Sequence, residues 1–295
     1  MAEFLQLLIS GLSQGALYGL IALGFVIVFK ATGILNFSHG AVLLLGAYVV
    51  TRLAHVNFLL ALVAGVAAAV ALNLLVERVL VRSMAGRSAL AITVMTIGLD
   101  VVLMTFARGE INTQIRTVGD PWGSQMVSLG AVDIPLSRLV ALVVSLVVVA
   151  LFFVWFKRSS WGVAFRAATE RRDVAPLMGI RLNRLSVVAW LLAGVLAVIA
   201  GVFLATFPSA GVNVDLAAVA LRAFPAAVIG GLDSTHGAIV GGLLIGTAEM
   251  FAQGYQAQLE FLGAGFHEVL TYVLMVAVLW FRPAGLFGTQ EVNRV

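Results

Sequence analysis

A chain of 295 residues that is 61% hydrophobic and only 11% charged, with a mean hydropathy of +1.07, cannot clothe itself for water. The composition reads as an all-α polytopic membrane protein, and its thirty glycines suit helices that pack backbone to backbone. An isoelectric point near 10.0 does not imply nucleic-acid binding, because the basic residues fall in short loops between apolar runs. The absence of cysteine excludes disulfides, thiolate catalysis and Cys-held metals.

Apolar segments are judged against the roughly 20 residues that a helix needs to cross hydrocarbon. The first runs from Phe4 to Phe29 and ends at Lys30; no basic n-region precedes it, so it is expected to be retained. A shorter one, about Phe37 to Val50, opens on the polar knot Asn36, Phe37, Ser38, His39 and Gly40. Asn57–Val76 and Leu90–Phe106 follow, the latter interrupted by Asp100. A polar stretch over 108–138 has turn chemistry at Asp120, Pro121 and Gly123. Leu139–Phe156 is the fifth span and Ser186–Phe207 the sixth. Ala217–Leu232 is a weak seventh that either crosses or re-enters, with Arg222 and Pro225 inside it. Gly237–Gly254 and Phe266–Phe281 complete eight or nine transmembrane or re-entrant helices in one permease-like domain, residues 1–295.

Between the fifth and sixth spans, Lys157–Leu185 carries Lys157, Arg158, Arg166, Arg171, Arg172, Arg181 and Arg184 against only Glu170 and Asp173. The positive-inside rule puts this island in the cytoplasm. Alternating outward then places Lys30, Arg78, Arg82, Arg87, Arg282 and Arg294 inside as well. Only Arg52, Arg108, Arg116 and Arg138 fall outside. The N-terminus is expected outside and the C-terminus inside, with 108–138 an external loop.

Ser38-His39-Gly40-Ala41-Val42 and Thr235-His236-Gly237-Ala238-Ile239 each open an apolar helix, which hints at an internal repeat and at a transporter's substrate path. His39 reads as a substrate contact or proton carrier. Equally, with Asn36 and Ser38, it satisfies backbone groups where a helix begins. Asp233 and Ser234 suggest the same capping role before the eighth helix. Asp100 is placed to meet Arg222, intramembrane charges being costly enough to suggest function; Glu249 reads as an outer-rim residue. Gly11, Gly15 and Gly19, with Gly237, Gly241, Gly242 and Gly246, mark faces for close helix contact, either within the chain or between subunits.

No G-x-x-x-x-G-K-[ST] occurs, and the only lysines are Lys30 and Lys157, so no ATP site of that type is encoded. No H-E-x-x-H, paired-histidine spacing or G-x-S-x-G supports a membrane-embedded hydrolase.

Several motifs, in order, carry a resemblance that covers nearly the whole chain. These are Gly19–Gly24; Gly33-Ile34-Leu35-Asn36-Phe37-Ser38-His39-Gly40; Glu77-Arg78-Val79; Arg166-Ala167-Ala168 through Glu170 with Leu177-Met178-Gly179-Ile180; Ala226–Gly231 running into Ser234, Gly237-Ala238 and Glu249; and Phe281–Gly288. The sequence resembles the permease subunits of high-affinity branched-chain amino-acid ABC importers, in particular the shorter of their two permease types. The resemblance implies a multi-pass protein of the bacterial cytoplasmic (inner) membrane. Its partners would be a related second permease, two cytoplasmic ATPases that bind the ATP, an extracytoplasmic substrate-binding protein and membrane lipid. It implies no cofactor or metal on this chain and no catalytic residue.

By the same resemblance, Arg166, Ala167, Ala168, Glu170, Arg171, Arg172 and Gly179 are the ATPase-coupling residues. Asn36, Ser38, His39, Asp100 and Arg222 are candidates for the substrate path, and Asp233, Ser234, His236 and Gly237 form the second helix-opening loop. A short helix ending near Gly179 would pass nucleotide-driven motion to the spans on either side. The pattern departs from the widespread E-A-A-x-x-x-G coupling signature. Ala41 also stands where relatives often have glutamate, and Asp100 where a small polar residue is common. Amides, urea or sugar remain possible substrates, and a stand-alone channel or ion-coupled carrier for a small polar solute is the alternative reading.

Overall fold

A computed structural model describes residues 2–111, 115–129, 132–172, 174–206, 211–259, 261, 263 and 265–289. Asp173, Phe207 and Arg294 lie outside these. Every apolar segment of the sequence is helical among the described residues. They are α1 (Ala2–Thr32), α2 (His39–Leu53), α3 (Phe58–Leu75), α4 (Ala89–Ile111), α5 (Leu136–Arg158), α7 (Leu182–Thr206), the split pair α8 (Leu216–Arg222) and α9 (Phe224–Gly230), α10 (Thr235–Gly254) and α11 (Phe266–Phe281). A further helix, α6 (Ser160–Glu170), lies in the basic island. Among the described residues, five helices are long and apolar enough to cross a membrane: α1, α3 with its continuation to Val81, α4, α5 and α7. The chain is a polytopic all-α membrane protein.

Burial sorts these helices. The apolar window of α1 is 89% buried, whereas that of α4 is 11% buried, so α1 is the central post and α4 presents apolar side chains outward. Glycine explains how α1 holds its place. A Cβ at Gly15 would stand 2.7 Å from Leu243 Cα, and one at Gly11 would stand 2.8 Å from Thr247 Cα. Gly242 and Gly246 press back on the backbones of Gly19 and Gly15. The glycine faces therefore join α1 to α10 inside one chain, settling that choice against a subunit interface. On the other side Gly46 of α2 and Gly65 of α3 meet, and Gly201 of α7 packs on Leu43.

The ends of the bundle are distinct. At one end, Lys30 Nζ donates to the Asp233 carbonyl at 2.5 Å, and Leu286 N–H donates to Ile229 O at 2.7 Å. The basic island and the C-terminal 282–289 segment gather here, as the charge distribution predicts. At the other end, the described parts of 108–138 fold more than their polarity suggests: β1 (Met126–Leu129) and β2 (Val132–Pro135) pair antiparallel. Gly123 N–H donates to Asp120 Oδ2 at 2.9 Å in the expected turn. Arg116 forms an antiparallel bridge with Val212. Trp122 stacks on Phe203 at 5.3 Å and meets Phe58 edge-on at 5.2 Å, tying the hairpin region to α7 and α3.

Candidate functional site

Thr32 ends α1, and Gly33, at φ 71°, turns the chain back into the bundle. Residues 33–38 are irregular backbone among packed helices, and such backbone must find partners within the protein. Two threonines of α4 supply them. Leu35 N–H donates to Thr93 Oγ1 at 3.3 Å, and Phe37 N–H donates to Thr96 Oγ1 at 3.1 Å. The Thr96 hydroxyl in turn points at the carbonyls of Leu35 (3.1 Å) and Thr93 (2.7 Å). Nothing in the sequence pattern singled out Thr93 and Thr96; their three-residue spacing on one face of α4 is the available signal.

This cradle sets α2 to begin deep in the bundle. A Cβ at Gly24 would lie 2.7 Å from the His39 ring, so His39 packs eight residues before the end of α1, about 12 Å along its axis. His39 is 1% exposed, lies 4.8 Å from the Phe25 ring, and has neither ring nitrogen hydrogen-bonded among the described residues. Ser38 does not cap α2 through its side chain as expected. Its hydroxyl donates instead to Asn36 Oδ1 at 2.7 Å, leaving Asn36 Nδ2 unpaired. The α2 terminus is thus a buried polar end with unspent hydrogen-bonding capacity. Asp100 faces it, near the backbone of Ala41, where a carboxylate complements the positive helix terminus.

A broken helix lies alongside. Ala223 separates α8 from α9, and Pro225 sits in the first turn of α9, where a missing N–H is tolerated. A Cβ at Gly40 would be 2.9 Å from the Ala217 carbonyl, so the start of α2 packs directly on α8. Phe224, past the break, contacts Phe25 at 5.5 Å and Phe37 at 5.4 Å. A short helix that starts deep and a broken helix, with an aromatic cluster between them, are the features expected of a transporter's path.

The expected meeting of Asp100 with Arg222 is not formed. Arg222 instead pairs with Glu249 of α10 at 3.4 Å and Glu268 of α11 at 2.7 Å. Glu249 is no rim residue either, being 3% exposed with Tyr18 beside it. The α8 break turns Arg222 toward α10 and α11, away from α4, a direction that linear sequence does not encode.

In the second helix-opening loop, Ser234 caps α10 as expected, accepting from Gly237 N–H at 3.0 Å. Asp233 does not share that work: its Oδ2 accepts from the Thr289 N–H at 2.9 Å and from the Thr289 hydroxyl. Gly237 packs against Gly230, which closes the α9–α10 corner. His236 is exposed and stacks on Phe153 at 4.5 Å.

The basic island folds as an amphipathic helix and a hook. Ser159 caps α6, accepting from Gly162 N–H at 3.2 Å. Gly162, Phe165 and Ala168 face the bundle, while Arg166, Glu170, Arg171 and Arg172 are exposed. Arg166 is anchored by its Nη1, which donates to Phe156 O at 3.1 Å. The helix ends at Glu170, nine residues before the end expected near Gly179. A separate 3₁₀ turn, Ala175–Met178, carries the chain to Gly179, whose φ of 83° allows its N–H to close the turn. Ala167 is half-buried. At the tip, Leu177 and Met178 are 84% and 78% exposed, an apolar pair projecting from a basic surface. A cavity of about 410 Å³, lined by Lys30, Gly33, Thr169, Arg172, Asp233 and Thr289 among others, separates α6 from the C-terminal segment.

Residues 7–279 match the family model described as the permease component of the branched-chain amino acid transport system. The permease protein BraD of the high-affinity branched-chain amino acid transport system of Pseudomonas aeruginosa is 30% identical, over 99% of this chain and 98% of BraD. LivH of Escherichia coli K12, from a system of the same description, is 27% identical over 99% of this chain and 98% of its own length. A LivH described as a probable branched-chain amino acid transport permease, from Methanocaldococcus jannaschii, is 26% identical over 92% of this chain and 88% of its own.

Proposed function

Because the chain belongs to the family of branched-chain amino-acid transport permease components, we propose that it is the membrane subunit through which an ATP-driven importer moves amino acids. Branched-chain aliphatic amino acids are the first substrates to test, following the names of the relatives. The observation that carries the reading beyond family membership is the short, deep-starting α2 beside the broken α8–α9 helix. The deep start of α2 at His39 and the α8–α9 break at Ala223 lie side by side, with buried polar atoms that have no partner among the described residues.

In this reading the substrate passes Arg222 and the α2 start at Asn36, Ser38 and His39, where Asp100 stands. The helices α1–α5, α7, the α8–α9 pair, α10 and α11 make nine passes or half-passes through the bacterial inner membrane, with the N-terminus outside. The chain carries no ATP site or cofactor of its own. Energy reaches it at the basic end, where Arg166, Ala167, Ala168, Glu170, Arg171, Arg172 and Gly179 present the coupling surface to one of two ATPases. The exposed Leu177–Met178 pair is the apolar anchor of that surface, ringed by cations that set its orientation. A related second permease and an external binding protein complete the assembly.

Co-purification is the test. The tagged chain, extracted from membranes that hold the whole system, should bring down the second permease and the ATPase. Loss of the ATPase on Leu177→Ser/Met178→Ser, with permease pairing retained, is the expected outcome. Recovery of the chain alone at native expression levels would sink the importer reading in favour of a self-contained channel or carrier.

A further inference from the structure

Arg222 closes α8 and ties two other helices together. Its Nη1 donates to Glu249 Oε1 of α10 at 3.4 Å, and its Nη2 to Glu268 Oε1 of α11 at 2.7 Å. The three groups contain one more carboxylate than cation. Side-chain exposure rises in steps across them, from 4% at Glu249 through 20% at Arg222 to 51% at Glu268. On the buried side, Tyr18 accepts from Gln14 Nε2 at 3.0 Å and turns its own hydroxyl toward the Glu249 carboxylate. Glu249 Oε2 has no hydrogen-bond partner among the described residues. A buried carboxylate oxygen that lacks a donor of its own is costly, and an arriving donor lowers that cost.

The position suits an arriving solute. Gly254, the last residue of α10, packs on Leu7 in the first turns of α1, so α11 starts at the end of the molecule that holds the hairpin. That end faces outward in the topology above, and Glu268 lies in the first turn of α11. We propose that Arg222 and Glu249 form an outward-facing site for the charged head of an α-amino acid. The substrate carboxylate replaces Glu268 on the guanidinium, while the substrate ammonium takes the unpartnered Oε2 of Glu249. This rests on the amino-acid importer reading and names the part of the substrate that the membrane subunit grips.

The chemistry is balanced at each contact. One carboxylate exchanges for another on Arg222, whose planar fork accepts either. Glu268 turns into water from a half-exposed position, where an ion pair contributes little. The incoming ammonium then offsets the surplus carboxylate that the resting group carries. The site reads only the backbone of the substrate, so it would accept different aliphatic side chains alike.

The chain has no cysteine, so Glu268→Cys places its single thiol beside Arg222. In vesicles holding the complete transporter with cysteine-free partners, an impermeant anionic methanethiosulfonate added outside reports access to that thiol. Leucine titrated to its solubility limit should slow modification about tenfold, as expected when about a tenth of sites stay free. Leucinamide, which lacks the carboxylate, should not protect, and Arg222→Gln added to the same chain should abolish protection by leucine. If Glu268→Cys does not assemble, Tyr272→Cys, one turn further along α11, reports the same protection. One modification rate with and without leucine, or equal protection by leucinamide, would overturn the site. ATP-driven leucine uptake by the unsubstituted complex, measured in parallel, separates that failure from a failure of the importer reading.

Discussion

His39 and His236 open helices with nearly the same five residues, yet they stand in opposite surroundings. His39 is 1% exposed, lies against Gly24 and Phe25, and has no hydrogen-bond partner among the described residues. His236 is exposed at the basic end and stacks on Phe153. The difference comes from what precedes each motif. Before His39, the chain re-enters the bundle with its Leu35 and Phe37 N–H groups donating to Thr93 and Thr96, so α2 starts deep. Before Thr235, the Asp233 backbone and side chain are held at the surface by Lys30 and Thr289, so α10 starts at the rim. Local sequence therefore sets where a helix begins along the chain, while tertiary partners set how deep it begins. Depth decides whether the polar end can meet a solute inside the bundle.

The largest effect should follow from dismantling the deep start. Thr96→Val keeps the shape of the side chain but strips the acceptor from Phe37 N–H and the donor from Leu35 O. Loss of about 2–4 kcal/mol is expected from two orphaned buried groups, read as a lower unfolding midpoint of the purified complex together with lost uptake. Next comes His39→Ala. With no hydrogen bond to lose among the described residues, the ring contributes packing, so about 2 kcal/mol should go to the cavity. Uptake should fall further than that stability loss accounts for. If His39→Ala transports normally, the buried histidine is filler and the path lies elsewhere.

At the other end, the double reversal Arg171→Glu/Arg172→Glu should weaken ATPase binding about tenfold, equivalent to about 1.4 kcal/mol, while insertion stays normal. Pull-down of the ATPase checks it; undiminished recovery removes these arginines from the coupling surface. Asp233→Ala should cost about 1 kcal/mol by releasing Thr289, seen as faster proteolysis of the C-terminal segment. His236→Ala should change stability by about 0.5 kcal/mol or less, as expected of an exposed ring. A large loss there, equal to that at His39, would erase the contrast between the two motifs.

The architecture was legible because apolar runs and charge bias are written along the chain. The last segment, Phe266–Phe281, has the same bounds as α11, and Lys30, the basic island and the C-terminal segment do share one end. The weak seventh segment, which contains Arg222 and Pro225, is a helix broken at Ala223. What stayed hidden depended on direction and depth. Asp100 and Arg222 are opposite charges in apolar segments, but the α8 break turns Arg222 toward Glu249 and Glu268. Glu249 is close in sequence to the end of its helix, yet α1 and Tyr18 cover it, which residue counting does not register. Thr93 and Thr96 look like ordinary helix residues until a neighbouring loop needs their hydroxyls. Leu177 and Met178 were visible as motif residues, whereas their projection depends on the left-handed turn at Gly179.

Reconstituted uptake tests the central claim most directly. Proteoliposomes would hold this chain with the second permease and the ATPases, with radiolabelled leucine and the binding protein on one side and ATP on the other. The account predicts accumulation that stops when either ATP or the binding protein is withheld. Leucine uptake at an undiminished rate without both would contradict it.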